Sequence, residues 1–316
     1  MHLVFIGGGN GLSTILKGFV DYDGKVSAIV TVFDSGGSSG ILRKTHRFFP
    51  PGDIRRCLSS LARNRELAQL FEYRFDKYLM EHSLGNLILL ALSDLKQDFI
   101  SAIKTAQDLL DTNGNVYPVS LDKAELIAEF ENGASVLGED EITRAGEKLK
   151  KKIKKLDLVP KARLYDGARR AIESADAIII GPGSLYTSIL PNLLVEGAKE
   201  AIKHSDAVKI FVVNITTQKG ETDNYTLSDH YKVLRKYLGF DVDVILANNT
   251  QPINEATKVM IEKGWKFTLN DAEKIKNTNV VFADLIDDRK PWRHDPLKFR
   301  KELLKLLQKE LEKPLT

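Results

Sequence analysis

The chain has 316 residues, 43% hydrophobic and 28% charged, with a net charge of +3. This balance argues against disorder and gives no bulk electrostatic case for nucleic-acid binding. The single cysteine, Cys57, rules out a disulfide framework and suits a reducing, cytoplasmic compartment. No apolar run reaches the roughly 20 residues that a membrane-spanning helix needs.

Residues 2–6 read as a short, continuously apolar strand. Glycines follow at once and no basic segment precedes it, so a buried strand fits better than a secretory leader. Leu12, Ile15, Leu16 and Phe19 then recur at helical spacing, and residues 26–33 form a second, β-branched run. Together they predict a βαβ unit with parallel strands buried on both faces. Residues 34–53 form a long loop rich in glycine and proline, of the kind that is usually functional in a compact domain. Residues 54–75 and 84–110 carry helical patterns.

The character changes over about residues 111–160. Segments shorten, and Asn132-Gly133 between residues 127–130 and 136–137 is a type I′ hairpin signal. This predicts a mostly antiparallel β insertion. The lysine-rich stretch 148–155 reads as a solvated face. The α/β alternation then resumes. Helical patterns fall at 168–174, 185–203 and 227–237, and strands at 177–180, 208–213 and 242–246. An amphipathic helix follows at 296–309. The expectation is an α/β, Rossmann-like fold: a mostly parallel sheet with helices on both faces, one domain over 1–316, and the antiparallel insertion within it.

Ligands of open α/β sheets bind outside the carboxyl ends of the strands, so the loops there are the candidate site. The first is Gly7-Gly8-Gly9-Asn10-Gly11, with Ser13 just beyond. Glycines let backbone approach an anion closely, and the helix that follows offers free N–H groups. Leu12 stands where a dinucleotide fingerprint needs its last glycine, and no Gly-Lys-Ser/Thr follows. The loop is therefore a generic phosphate cradle or a tight turn, and a nicotinamide enzyme is poorly supported. The second loop offers Asp34, Ser35, Gly36, Gly37 and Ser38. Its acid suits a ribose hydroxyl or a metal ion.

Asp53 closes the segment as a helix cap or a ligand, and Arg55 and Arg56 are guanidinium forks suited to phosphate. His82 and Asn86 are further polar candidates. Gly181, Gly183 and Ser184 follow another apolar strand and repeat the anion-site chemistry. Asn214, Thr217, Gln218, Glu221 and Thr222 lie in a polar loop able to hydrogen-bond a sugar or a base. Ser184 lacks the spacing of a nucleophile elbow. One cysteine and scattered histidines make no zinc pattern, and no carboxylate pair is marked by spacing as an acid/base couple.

Taken in order, Gly-Gly-Gly-Asn-Gly-Leu-Ser, Asp-Ser-Gly-Gly-Ser-Ser-Gly-Ile-Leu-Arg, Pro-Pro-Gly-Asp-Ile-Arg, His-Ser-Leu-Gly-Asn, Gly-Pro-Gly-Ser-Leu-Tyr and Thr-Gln-Lys-Gly-Glu-Thr-Asp-Asn-Tyr resemble the YvcK-type gluconeogenesis and morphogenesis factors of the CofD-like superfamily. Arg293-His294-Asp295-Pro296 resembles that family's C-terminal signature. The resemblance implies a UDP-sugar ligand, UDP-N-acetylglucosamine in particular, and a regulatory role in gluconeogenic growth and cell shape, with partners in cell-envelope synthesis. It also implies that Gly8, Gly9, Asn10 and Gly11 meet the nucleotide and diphosphate, that Gln218, Glu221 and Thr222 match the polar ligand loop, and that Arg293 belongs to the UDP-sugar site. Asp34 matches the superfamily's metal- or substrate-side acid. A second acid often follows it, but Ser35 stands there, which weakens a two-carboxylate metal site. The alternative reading is a Mg²⁺-dependent, CofD-like transferase acting on a nucleoside-diphosphate-linked substrate. A homo-oligomer is compatible with either.

Overall fold

The computed structural model describes residues 1–36, 49–76, 82–262 and 264–312. Its organising element is a seven-stranded parallel sheet in the order β10-β9-β8-β7-β1-β2-β3. The strands are β1 (His2–Gly7), β2 (Lys25–Val30), β3 (Asn115–Pro118), β7 (Ala177–Ile180), β8 (Val208–Val212), β9 (Val244–Asn248) and β10 (Asn279–Ala283). Their sequences are apolar with little alternation, as expected of strands covered on both faces. From β1 the chain builds outward to β2 and β3. It then returns to β7 on β1's other side and builds the opposite way. The reversal puts the sheet's switch point between β1 and β7.

Right-handed crossovers place the connecting helices on opposite faces for the two directions. On one side α1 (Gly9–Leu16) packs on α2 (Gly52–Leu61) and on the C-terminal α12 (Pro296–Leu311). α2 continues into the packed group α3 (Arg65–Glu72), α4 (Leu84–Lys96) and α5 (Phe99–Leu110). On the other side lie α7 (Asp166–Glu173), α8 (Leu190–Leu193), α9 (Ala198–His204) and α10 (Leu227–Leu238). Among the described residues no helix is long and apolar enough to cross a membrane.

The small antiparallel sheet has the order β5-β4-β6, from β4 (Glu125–Phe130), β5 (Ser135–Leu137) and β6 (Ile153–Val159). Its inward residues Leu126, Phe130 and Leu156 join the same buried apolar cluster as the main sheet. Two expectations about this region are revised. Residues 115–118 pair with β2 in the main sheet, so the antiparallel part begins later. A helix, α6 (Glu139–Leu149), lies between β5 and β6. The hairpin is present, but its turn is not type I′, because only Gly133 has positive φ, at 84°, and Asn132 does not. Phe130 O accepts from Gly133 N–H at 2.9 Å, and Phe130 N–H donates to Ala134 O at 2.9 Å. That is a three-residue loop closed by a glycine bulge. Lysines 148 and 150–152 are exposed.

The long helical stretches are also interrupted. Residues 54–75 break between Leu61 and Arg65, where the Asn64 side chain accepts from Leu67 N–H to start α3. Residues 84–110 break at Gln97, which is left-handed (φ 53°), and Asp98 caps α5 through Ser101 N–H. The predicted helix over 185–203 starts as a π-helical turn, Leu185–Ile189, and pauses before α9. Past β9, residues with little periodicity form α11 (Glu255–Glu262), β10 and the hairpin of β11 (Ile286–Asp287) with β12 (Lys290–His294).

Candidate functional site

The loops after β1 and β7 meet at the switch point. A Cβ on Gly11 would lie 2.6 Å from Pro182 O and 2.7 Å from Gly183 Cα, so only glycine lets these backbones approach. Gly9 has φ +64°, and Gly8 is covered by Asp53 and Thr31. α1 starts directly from this turn. Its first N–H groups have no intrahelical partner, but the Gly9 N–H is already taken, donating to Asp53 Oδ2 at 2.6 Å. The Gly183 N–H is likewise held, by Asn214 Oδ1 at 3.0 Å. Among the described residues, the unclaimed amides of this helix end are therefore those of Asn10 and Gly11. A valine at Gly9 would be strained by its positive φ, so a substitution there disturbs the turn as well as any ligand.

A cleft of about 510 Å³ opens over these loops. Among the candidates, Gly9, Asn10, Gly11, Gly183, Ser184, Asn214, Thr217, Gln218 and Arg293 line it. A second chamber of about 260 Å³ adjoins it and shares the rim residues Gly9, Glu139, Thr187 and Ser188. Asp34, Gly36, Asp53, Arg55 and Asn86 line this chamber. The remaining candidates are placed elsewhere. Ser13 is buried in α1 and donates to Asn10 O at 3.3 Å. The Ser35 hydroxyl accepts from Asp140 N–H at 3.1 Å and so starts α6. Gly181 (φ 83°) and His82 are buried outside both linings. Gly37 and Ser38 lie outside the described residues.

Glu221 and Thr222 lie behind the wall, 3% and 1% exposed. Glu221 is a hub that joins three segments. Its Oε1 accepts from Thr143 Oγ1 at 3.0 Å and from Gln218 Nε2 at 2.7 Å, and its Oε2 accepts from the Ser184 hydroxyl. Thr222 Oγ1 accepts from Gln218 N–H at 2.8 Å. The two residues position Gln218 rather than face the cleft. Burial raises the Glu221 carboxyl above the usual carboxylate range.

The second chamber is built from charges that satisfy one another. Asp53 sits in the first turn of α2, whose cap is Pro51, and pairs with Arg56 at 2.6 Å. Arg55 is 2% exposed, with its guanidinium on Glu72 Oε2 at 2.6 Å, on Asn86 Oδ1 at 3.1 Å and on Phe71 O at 3.3 Å. Arg55 therefore has little left with which to bind an anion. Asp34 hydrogen-bonds to Glu139. Burial, reinforced by Asp53, pushes Asp34 up to about 6, and burial, reinforced by Asp34, pushes Glu139 up to about 8. Two carboxyls this close share a proton at neutral pH. The Thr31 hydroxyl, in the same wall, is buried with no hydrogen-bond partner among the described residues.

Several lining residues had no sequence signal of the kind followed above. Glu139 fell within the predicted insertion, although the run Glu139, Asp140, Glu141 is an acidic helix start that could have marked it. Trp265 and Trp292 also line the cleft. They are the chain's two tryptophans, a scarcity that is itself a cue.

The family profile described as 2-phospho-L-lactate transferase CofD matches residues 3–286. The chain belongs to the CofD-like family. Its relatives include the gluconeogenesis factor of Bacillus subtilis, 39% identical, with 97% of this chain and 98% of that protein covered. The gluconeogenesis factor of Halalkalibacterium halodurans is 45% identical over 83% of this chain and 81% of its own length. A crystal structure of a UPF0052-family protein from Bacillus halodurans superposes with a TM-score of 0.89 at 40% identity, covering 96% of this chain and 99% of that one. This CofD-like chain therefore shares the fold with those relatives along nearly its whole length. Arg293, Trp292 and β12 lie beyond the segment matched by the transferase profile.

Proposed function

We propose that this CofD-like protein is a UDP-sugar-binding regulatory factor, with UDP-N-acetylglucosamine as its ligand, that acts in gluconeogenic growth and cell morphogenesis. The single observation carrying this reading is the junction of the β1 and β7 loops, where Gly11 lies against Gly183 and leaves the Asn10 and Gly11 amides free beside a 510 Å³ cleft. Helix-start amides and close backbone are the chemistry of a diphosphate site. The adjoining chamber, at about 260 Å³, has room for a sugar. Its proton-sharing carboxyl pair and the Thr31 hydroxyl, which has no partner among the described residues, are donors and acceptors for sugar hydroxyls. The names of the relatives support the gluconeogenic role. Calorimetry against UDP-N-acetylglucosamine tests it: saturable one-to-one binding is expected, and no heat at millimolar ligand would reject it.

One observation favours a second reading, a Mg²⁺-dependent transferase. Ser35 does not supply the second acid, but Glu139 reaches Asp34 from α6. Mg²⁺ commonly binds through one or two carboxylates plus substrate phosphates, so Asp34 and Glu139 fit an ion that arrives with a nucleotide. They do not fit one held by protein alone: among the described residues no three His, Cys, Asp or Glu side chains form a metal-binding group. Incubation with Mg²⁺, a deazaflavin acceptor and the nucleoside-diphosphate-linked phospholactate donor discriminates. Product formation supports the transferase, and intact donor that remains bound counts against it.

A further inference from the structure

We infer that Trp265 and Trp292 form the wall on which the nucleobase of the ligand stacks, so that the ligand lies with its base at the indoles, its diphosphate at Asn10 and Gly11, and its sugar toward the second chamber. The inference rests on the nucleotide-binding reading above and adds the direction in which the ligand lies. Both indoles line the cleft, their centroids 5.4 Å apart and their planes crossed at 61°. Rings crossed at that angle cannot sandwich a base between them. They form a corner in which a planar ring stacks on one indole and abuts the edge of the other.

The corner is built by the fold. Trp265 follows α11, accepted by Met260 O at 3.2 Å, and α11 packs on β12, which carries Trp292. The segment after Trp265 is laced to the polar loop: Thr216 bridges Phe267, and Thr217 N–H donates to Lys266 O at 2.9 Å. The indoles are thus held beside the hydrogen-bonding groups of Thr217 and Gln218, which can read the base edge. Both rings are partly exposed, although indoles gain most from burial. An aromatic face left open in a cleft whose other wall binds anions is the surface a base covers. Arg293, next to Trp292, makes no ion pair among the described residues and can reach a phosphate from the same strand.

Tryptophan emission reports on these two rings alone, since the chain has no others. UDP is expected to change the emission, and inorganic pyrophosphate is not. Trp265→Leu and Trp292→Leu should each weaken UDP about tenfold, the scale of one stacking contact. Trp265→Phe and Trp292→Phe should stay within about threefold of the parent, and any affinity for pyrophosphate should be the same in all variants. The Phe variants keep the packing, so they separate stacking from damage to the fold. If calorimetry shows UDP binding with unchanged emission and unchanged affinity in both Leu variants, the base lies elsewhere and the inference falls, while the UDP-sugar reading stands. If neither UDP nor UDP-N-acetylglucosamine binds, that reading falls instead, and ATP and GTP are then titrated. A purine nucleotide that changes the emission and is lost in the Leu variants supports the aromatic wall, and no response to any nucleotide overturns it.

Discussion

The cleft and the chamber beside it share four rim residues, yet they handle charge in opposite ways. The cleft is lined mostly by backbone, hydroxyls, amides and two indoles, with charged side chains of both signs, Glu139, Glu147, Lys219 and Arg293, among them. The chamber is lined by acids and arginines, but these already answer one another: Asp53 with Arg56, Arg55 with Glu72, Asp34 with Glu139. Under the proposed reading the anion is met in the cleft by helix-start amides rather than by the more heavily charged chamber. In the charged region most of the charges are already committed to one another, and Asp34 and Glu139 share a proton.

The contrast can be broken first at the junction both regions depend on. Gly11→Ala puts a methyl group within 2.7 Å of the Pro182–Gly183 backbone, and neither side can give way. The melting temperature should fall by several degrees, as for an overpacked core, and UDP-N-acetylglucosamine affinity by on the order of 100-fold. Differential scanning calorimetry and titration read the two effects separately. Arg293→Ala should cost about 10-fold to 100-fold in affinity for UDP and UDP-N-acetylglucosamine alike, the scale of one charge-assisted bond to phosphate. A loss confined to the sugar-bearing ligand would place Arg293 in the wrong region.

The chamber gives a pH signature. Asp34 and Glu139 have folded pKa values of about 6 and about 8, above their unfolded values. A raised carboxyl contributes stability while it stays protonated, below the unfolded value, and loses it as pH rises through the folded one. The protein should therefore lose stability between about pH 4 and pH 8 from this pair. Glu139→Gln should flatten the profile in denaturant melts, and a profile as steep as the parent's would refute the assignment. Asp34→Asn should weaken UDP-N-acetylglucosamine about threefold more than it weakens UDP, because it alters the sugar side only. The smallest effect belongs outside both regions. Lys150→Gln with Lys151→Gln, on the exposed basic turn, should leave stability within about 0.5 kcal/mol and ligand affinity unchanged.

The sheet was legible because buried parallel strands write themselves as apolar runs: residues 177–180 were read to the residue. The two glycine loops were legible because only close backbone contact calls for Gly11 and Gly183. Illegible parts share a cause, which is partnership across the chain. Nothing near Glu221 announces that Thr143, Ser184 and Gln218 will converge on it from three segments. Glu139 meets Asp34 only because α6 docks on the second loop through Ser35. β10 is half-buried at the sheet edge, and its short apolar run at residues 280–283 carries no flanking helical pattern to mark it as a further βα unit. Trp265 and Trp292 sit in segments with no periodicity, and Trp265 comes to the cleft with the pairing of Thr216 and Phe267.

The central claim concerns where one ligand lies, so a crystal structure with UDP-N-acetylglucosamine tests it most directly. The account predicts diphosphate density against the Asn10 and Gly11 amides, the uracil at Trp265 and Trp292, and the sugar beside Asp34 and Glu139. Ligand density away from the Gly11–Gly183 junction, for instance in the basic groove along α10 that Lys232 and Lys236 line, would contradict it.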